Sequence, residues 1–483
     1  MIALTPCTPD AAPRRRRMRR DPDPHFKSDT SHQLDAIAGC PAVSVPQEHL
    51  AWAVLAVVDQ LDTSSLEAKY SSLGRHGYHP KSTLAVWVYA SLIGLHQSTK
   101  VERALKTDAA LQLVARGGKH SGATLRRFRQ ANAALFAAAI EATVRMARAR
   151  GLVDEKDLAV DSVRLRAHAS TKNVRTRERS TKRLQELAAV DATALPEEAR
   201  AKHAAKVAKH EAALQLCEER GTTNVVLTSP AAALMKFPSG AGLPGHRVTA
   251  TASGQKTRFI VGVLVDAATN DYGKLESAIT EAREVLRRAG LPEDARLQAA
   301  ADAGYWSEAD LAFAVREQSW VDVLIAEPST TNGHVDKPER FYGRERFTVL
   351  PDQTVLCPAG TRMHGPYADA NGRTKWTGVG CATCALKPEC TPGRERALTV
   401  SSSAERMRER LRQPDARERY NRRMSTVEPV FSLIEDTMGY RRVSSRLPQT
   451  VKAEILLKVL AHNVSRLITA KRLAAVYFLV ELF

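Results

Sequence analysis

Three carboxylates carry the chemistry this sequence supports most readily. Asp161 lies in the alternating stretch 158–166, Asp302 follows the apolar run 297–301, and Glu428 sits between Val427 and Pro429. Each falls where a strand should end or a helix begin. Carboxylates are hard oxygen donors suited to Mg²⁺ or Mn²⁺. Three of them gathered by a fold can hold two such ions roughly 3.5–4 Å apart, the arrangement that drives in-line attack on a phosphodiester. Lys and Arg number 71 against 53 Asp and Glu, for a net charge of +18. A surplus of that size favours an acidic polymer or membrane surface as partner, the alternative being a basic solvated face.

Taken singly, each acid has a structural explanation. Asp161 could serve a turn, and Asp302 could open the loop before a helix over 307–318. Ser425, Thr426, Val427 and Glu428 match a capping box, with Pro429 tolerated in the first helical turn. Asp266 is the best rival carboxylate, at the end of a strand and next to a turn. Glu435 lies seven residues after Glu428 on the same helix face.

The elements that would position these groups follow from patterning. Residues 48–150 read as helical, with Pro80 as a first helical residue and Gly151 as a terminator. Short helices near 99–107 and 108–115, the Gly117–Gly118 break and the stretch from Ser121 to Arg129 suggest a helix-turn-helix. Arg126, Arg127 and Arg129 would then face DNA; the alternative is a plain bundle with solvated arginines. A strand over 158–166 and a charged helical hairpin over 180–219 follow. Strands at 247–251 and 257–265 flank Ser253 and Gly254, a hairpin signal. Helix 274–289, strand 296–301, helix 307–318 and strand 321–326 complete a mixed α/β layer.

Two runs are strongly basic. Residues 162–183, with Arg164, Arg166 and Lys172, carry eight Lys or Arg against one acid; residues 404–423 carry eight Arg against four acids. Both suit phosphate neutralisation, with solvated helix faces as the alternative. Residues 330–400 are rich in Gly and Pro and hold Cys357, Cys381, Cys384 and Cys390. Four thiolates are what a closed structural Zn²⁺ site needs, and Cys381 and Cys384 have the usual spacing; a redox pair or unliganded cysteines remain open. Seven cysteines in all, scattered outside this cluster, suit a reducing cytoplasm rather than a disulfide framework. No apolar stretch of 18 residues suggests a membrane span, and no apolar run follows the arginines at 14–20.

The three acidic segments resemble the catalytic motifs of bacterial insertion-sequence transposases of the DDE class, closest to the group numbered eleven eighty-two. The resemblance covers most of 48–470, and includes Ser121 to Arg129, Ser229 to Lys236, the Asn270–Asp271 pair, Ala301 to Ser307, Val427 to Phe431, Gly439 to Arg442 and the cysteine cluster. It implies a ribonuclease-H-like mixed-sheet core with an all-α N-terminal domain and a Cys-rich insertion. It implies a two-ion site at Asp161, Asp302 and Glu428, with double-stranded terminal repeats and target DNA as partners. A homo-oligomer that holds two ends, working at the bacterial nucleoid, is also implied. Tyr420 and Arg423 approximate the family's signature around the third acid, with one extra residue before Glu428. Glu435 stands where the family has Lys, and Arg441 or Arg442 would have to substitute. The expected division is a disordered basic arm over 1–45, a helical DNA-binding domain over 46–151, and a first part of the core over 152–329. The Cys-rich insertion over 330–400 and closing helices over 401–483 follow. The rival readings are a decayed transposase acting as a repressor and a metal-dependent nuclease that does not rejoin strands.

Overall fold

The structure is a computed structural model and describes residues 26–33, 40–71, 76–316, 320–328, 341–350, 352, 354–368 and 374–480. The arginine run at 14–20 lies outside the described residues. The arm expected to lack structure as far as residue 45 is already in place at Phe26, which bridges to Gly77, and at Lys27, whose amide donates to the Gly77 carbonyl at 2.9 Å. Its apolar and charged side chains find partners there: Lys27 lies over the Tyr78 ring and Asp29 accepts from Arg116.

Beside two single-turn helices, Pro41–Ser44 and Ser64–Glu67, the N-terminal region has helices at Leu50–Val58 (α1), Pro80–Leu92 (α2), Ser98–Ala104 (α3), Ala109–Val114 (α4), Gly122–Ala131 (α5) and Ala133–Arg148 (α6). Their starts follow the local chemistry. Asp108 caps α4 by accepting from the Leu111 amide, and Ser121 caps α5 by accepting from the Thr124 amide. Helix α2 is buried all round, including Trp87, so it is the centre of this region and not a surface helix.

Among the described residues, one six-stranded sheet contains Leu158–Arg166 (β1), Ala233–Lys236 (β2), Gly242–Ser253 (β3), Phe259–Asp266 (β4), Leu297–Ala301 (β5) and Val321–Ile325 (β6). Strand β3 pairs antiparallel with β1 along one edge and with β2 and β4 along the other; β1, β5 and β6 run parallel. Parallel strands need a crossover, and Glu308–Val315 (α8) supplies the one between β5 and β6. The helix Leu275–Arg288 (α7) lays its apolar stripe, Ala278, Ile279, Ala282 and Leu286, on one face. Gly262 of β4 permits this closeness, since a Cβ there would stand 2.9 Å from the Ala282 Cα. The charged hairpin expected over 180–219 is present as helices Arg177–Ala188 and Glu197–Glu219, footed by the paired segments 174–176 and 224–226.

The opposite face receives Pro414–Ser432 (α9), and the chain closes with the long helix Pro448–Val480 (α10). From Val451 to Val464 nearly every side chain of α10 is buried, against α2, α5, α6 and β4 alike. The helical region and the sheet therefore share one hydrophobic core, where a separate N-terminal domain was expected. Residues 341–400 instead build a small core of their own from Phe347, Val355, Met363, Trp376 and Leu398.

Helix α9 departs from the sequence reading. No helix starts at Ser425; the capping box lies mid-helix, and the Ser425 hydroxyl donates to the Arg422 carbonyl. Pro429 has no amide to offer the Ser425 carbonyl. Arg258 supplies the missing donor through Nε at 3.0 Å, held in a left-handed conformation at φ 56°.

Candidate active site

Strand register brings two of the three acids together. Val160 of β1 pairs with Ala301 of β5, and Asp161 and Asp302 are each the next residue. They therefore stand side by side where two parallel strands part. Asp302 accepts from the Gly304 amide through Oδ1 at 3.0 Å, capping the short turn Ala303–Tyr305. Asp161 Oδ2 accepts from Arg423 Nη2 of α9 at 2.9 Å, and Asp302 Oδ2 lies 3.8 Å from the same nitrogen. Arg423 is buried, and its Nε has no hydrogen-bond partner among the described residues.

One guanidinium is scant compensation for this much buried acid. Burial pushes Asp161 up to about 6, with Asp302 and Asp271 adding to the rise and Arg423 opposing it. Burial also raises Asp302, again against Arg423. Tyr420, one turn before Arg423, lies in the same field; burial raises its phenol, and Arg423 opposes the rise.

Glu428 is not brought in. It sits five residues beyond Arg423, roughly 140° further round the helix, and is exposed. Val427 and Val430 take the inward positions that it would need. Its carboxylate makes no hydrogen bond or ion pair among the described residues. Asp266 takes the turn role: Oδ1 accepts from the Ala268 amide and Oδ2 pairs with Lys274. Arg441 pairs with Asp436, so it is engaged beside Glu435.

The basic residues divide. Arg126 and Arg127 are exposed on α5, as a DNA-facing helix requires. Arg129 is not: it is buried, pairs with Glu454 of α10 at 3.5 Å, and donates to the His96 carbonyl and the Ser444 hydroxyl. Leu125 and Phe128 of α5 face the core, and Arg129 lies on the same inward side. Arg166 and Arg442 meet in a backbone bridge, with Arg441 next to them. Arg164 donates to the Lys236 carbonyl and Lys172 is exposed.

A third acid at this site was not singled out from sequence. Asp271, just before α7, accepts through Oδ1 from Ser162 Oγ at 2.5 Å and pairs with the buried Arg247. Only the Asn270–Asp271 motif hinted at it; the contact itself depends on β1 and β3 lying side by side.

Cys357, Cys381, Cys384 and Cys390 line one cavity of about 390 Å³. Burial raises the Cys390 thiol; Arg396 opposes this, while Cys381, Cys357 and Cys384 add to it. Among the described residues, no three His, Cys, Asp or Glu side chains stand close enough together to hold a metal ion. Four thiols are the donor type a structural Zn²⁺ would require, and they share that cavity with Thr361, Lys387 and Arg396. Oxygen donors alone meet at Gly304, where a Cβ would stand 3.0 Å from Asp302 Oδ1 and 3.2 Å from Asp271 Oδ2, so the glycine keeps that space open.

Residues 42–131 match a family model described as Transposase domain (DUF772), and residues 356–468 match one described as Transposase DDE domain. The chain thus carries transposase-type segments before and after its sheet, consistent with an insertion-sequence transposase. No curated protein matches. Among solved structures, the cryo-EM structure of a piggyBac transposase synaptic complex with hairpin DNA is similar at 9% identity and a TM-score of 0.33. That match covers 91% of this chain and 74% of that one, and is too loose to bear on fold or mechanism. No helix among the described residues is long and apolar enough to cross a membrane.

Proposed function

We propose that this protein is a DNA transposase that cuts the ends of its element and joins them to target DNA, with Asp161 and Asp302 at the reacting phosphodiester. The observation that carries the reading is the side-by-side stand of these two aspartates at the parting of β1 and β5, in a chain with transposase segments at both flanks. Its strand order, an antiparallel β1–β3–β4 ladder continued by parallel β5 and β6, supports a ribonuclease-H-like core. Mg²⁺ or Mn²⁺ held by Asp161 and Asp302 would activate the nucleophile and neutralise the leaving oxygen. Glu428 would join only by a rotation of α9. Arg423 and Tyr420 face the same space, where a guanidinium can engage a phosphate in a forked contact. Arg126, Arg127, Arg164, Arg166, Lys172, Arg441 and Arg442 would contact DNA phosphates, making affinity steeply salt-dependent. Two copies would hold the two ends in the cytoplasm, at the nucleoid. Zn²⁺ on the four cysteines would staple residues 341–400 in the role a larger core would otherwise fill; metal analysis of wild type beside Cys381→Ser tests this.

The test of function is cleavage of a labelled duplex bearing the element's terminal repeat, with Mg²⁺ or Mn²⁺, by wild type and Asp302→Ala. Nicks that leave a 3′ hydroxyl, absent in the variant while binding persists, support the proposal; joining of that end to a second duplex separates a transposase from a nuclease. Equal cleavage by both proteins overturns it. A second reading, a DNA-binding repressor without catalysis, draws on the exposed Glu428 and on Glu435 at the Lys position. Binding without cleavage by either protein would favour it.

A further inference from the structure

We propose that the groove at the foot of the helical hairpin, lined by Arg175, Arg177, Arg179, Lys182 and Arg183, holds the backbone of the substrate duplex away from the reacting bond; this rests on the transposase reading above. The groove encloses about 1430 Å³ between helix Arg177–Ala188 and the edge strand β2, where Leu234 forms part of its wall. Glu178 is the one acid among its lining residues. The cations are placed without being neutralised. Arg175 donates to the Lys172 and Val174 carbonyls through Nη1 at 2.7 and 2.8 Å, and Arg177 donates to the Cys217 carbonyl through Nη2 at 3.3 Å. Carbonyls fix a guanidinium's direction but leave its charge whole. Arg183 pairs with Glu186, whereas the exposed side chains of Arg179 and Lys182 make no hydrogen bond or ion pair among the described residues. A polyanion satisfies such a surface while shedding its own counterions. A merely solvated hairpin would balance its charges throughout. The second helix, Glu197–Glu219, does so with five acids to four Lys or Arg, and it lines the groove only through His210.

Strand register sets how far the groove lies from Asp161. The Ala167 amide donates to the Pro244 carbonyl at 2.9 Å, and Pro244 pairs with Leu234. Leu234 therefore stands level with Ala167, six residues on from Asp161. At about 3.3 Å per residue that is roughly 20 Å along β1. DNA advances about 3.4 Å per base pair, so a duplex lying along β1 meets the groove roughly six base pairs from the bond at Asp161. Arg164, whose Nη1 donates to the Lys236 carbonyl of β2, lies in between.

The test is duplex affinity against salt, read by fluorescence anisotropy, for wild type, Arg179→Ala with Lys182→Ala, and the charge-keeping Arg179→Lys with Lys182→Arg. The probes are a duplex bearing the element's terminal repeat that extends well past the reacting bond on both sides, and two versions cut short at that bond from one side or the other. Neither side chain has a partner to lose, so the alanine variant should melt with the wild type, which thermal unfolding checks. On the long duplex the alanine variant should lose about 2 from the slope of log affinity against log salt, and the charge-keeping variant nothing. The deficit should vanish on one shortened duplex, which names the side that the groove holds. An unchanged slope on the long duplex, or a deficit kept on both short ones or on neither, overturns the inference and leaves the transposase reading standing. Wild type that binds none of the three overturns that reading.

Discussion

Arg129→Ala separates a structural arginine from a DNA-facing one. Arg129 is 4% exposed and Glu454 is 0% exposed, so deleting the guanidinium strands a carboxylate out of water's reach. Glu454 keeps donors from Ser444, Ser445 and Tyr440 and has Lys458 one turn on, so part of the charge stays compensated. Breaking one side of a buried pair costs about 3–5 kcal/mol. At about 2 °C per kcal/mol for a large chain, the melting midpoint should fall by roughly 5–10 °C. Thermal unfolding followed by circular dichroism measures this, with Arg126→Ala as the exposed control, expected within about 0.5 kcal/mol of wild type. Arg129→Ala combined with Glu454→Gln should lose less than the two single changes added together, because they share one interaction. An Arg129→Ala protein that melts with the wild type but binds DNA more weakly would refute the buried-joint account and restore the helix-turn-helix reading for this residue.

Removing Arg126 and Arg127 together should lower the slope of log DNA affinity against log salt by about 2, measured by fluorescence anisotropy. An unchanged slope would take α5 off the DNA. Asp161 is raised on folding from 3.8 to about 6, so its contribution to stability is full below about pH 4 and is lost as pH climbs through 6. Asp161→Asn, which cannot ionise, should therefore be more stable than metal-free wild type at pH 7.5 by on the order of 2 kcal/mol, with no gain near pH 4. A lower denaturation midpoint at pH 7.5 would contradict the burial of that charge. Gly262→Ala should cost about 1–3 kcal/mol in urea unfolding, because its methyl would press on the Ala282 backbone; a neutral result would mean α7 can lift off the sheet.

Helices and strands were legible in the sequence because their signals are local. The helix expected at 274–289 is found at Leu275–Arg288, and the strand expected at 296–301 at Leu297–Ala301. Asp161 and Asp302 could be singled out for the same reason: each follows a short apolar run, although Asp161 stands within β1 and not at its end. What could not be read was anything set by register or by helix phase. Glu428 faces outward because α9 begins at Pro414 and runs unbroken past Ser425, which fixes its phase far upstream of the capping-box residues. Arg129 turns inward because α10, more than 300 residues later, supplies Glu454. Asp271 reaches Ser162 only because β1, β3 and α7 are stacked. Such contacts join residues far apart in the chain, and no periodicity records them.

The placement of α10 bears on when the protein can exist. Its buried face completes the packing around Trp87 and α6, yet it is made long after both. At about 5–20 residues per second, the N-terminal helices wait on the order of 15–60 s for their final neighbour. During that interval their apolar faces are open to chaperones, to proteases and to one another. A chain broken off before residue 448 would lack the element that joins both halves, so premature termination yields no working fragment of the helical region. Maturation of the helical region is thus gated by the synthesis of α10, well after its other helices have been made.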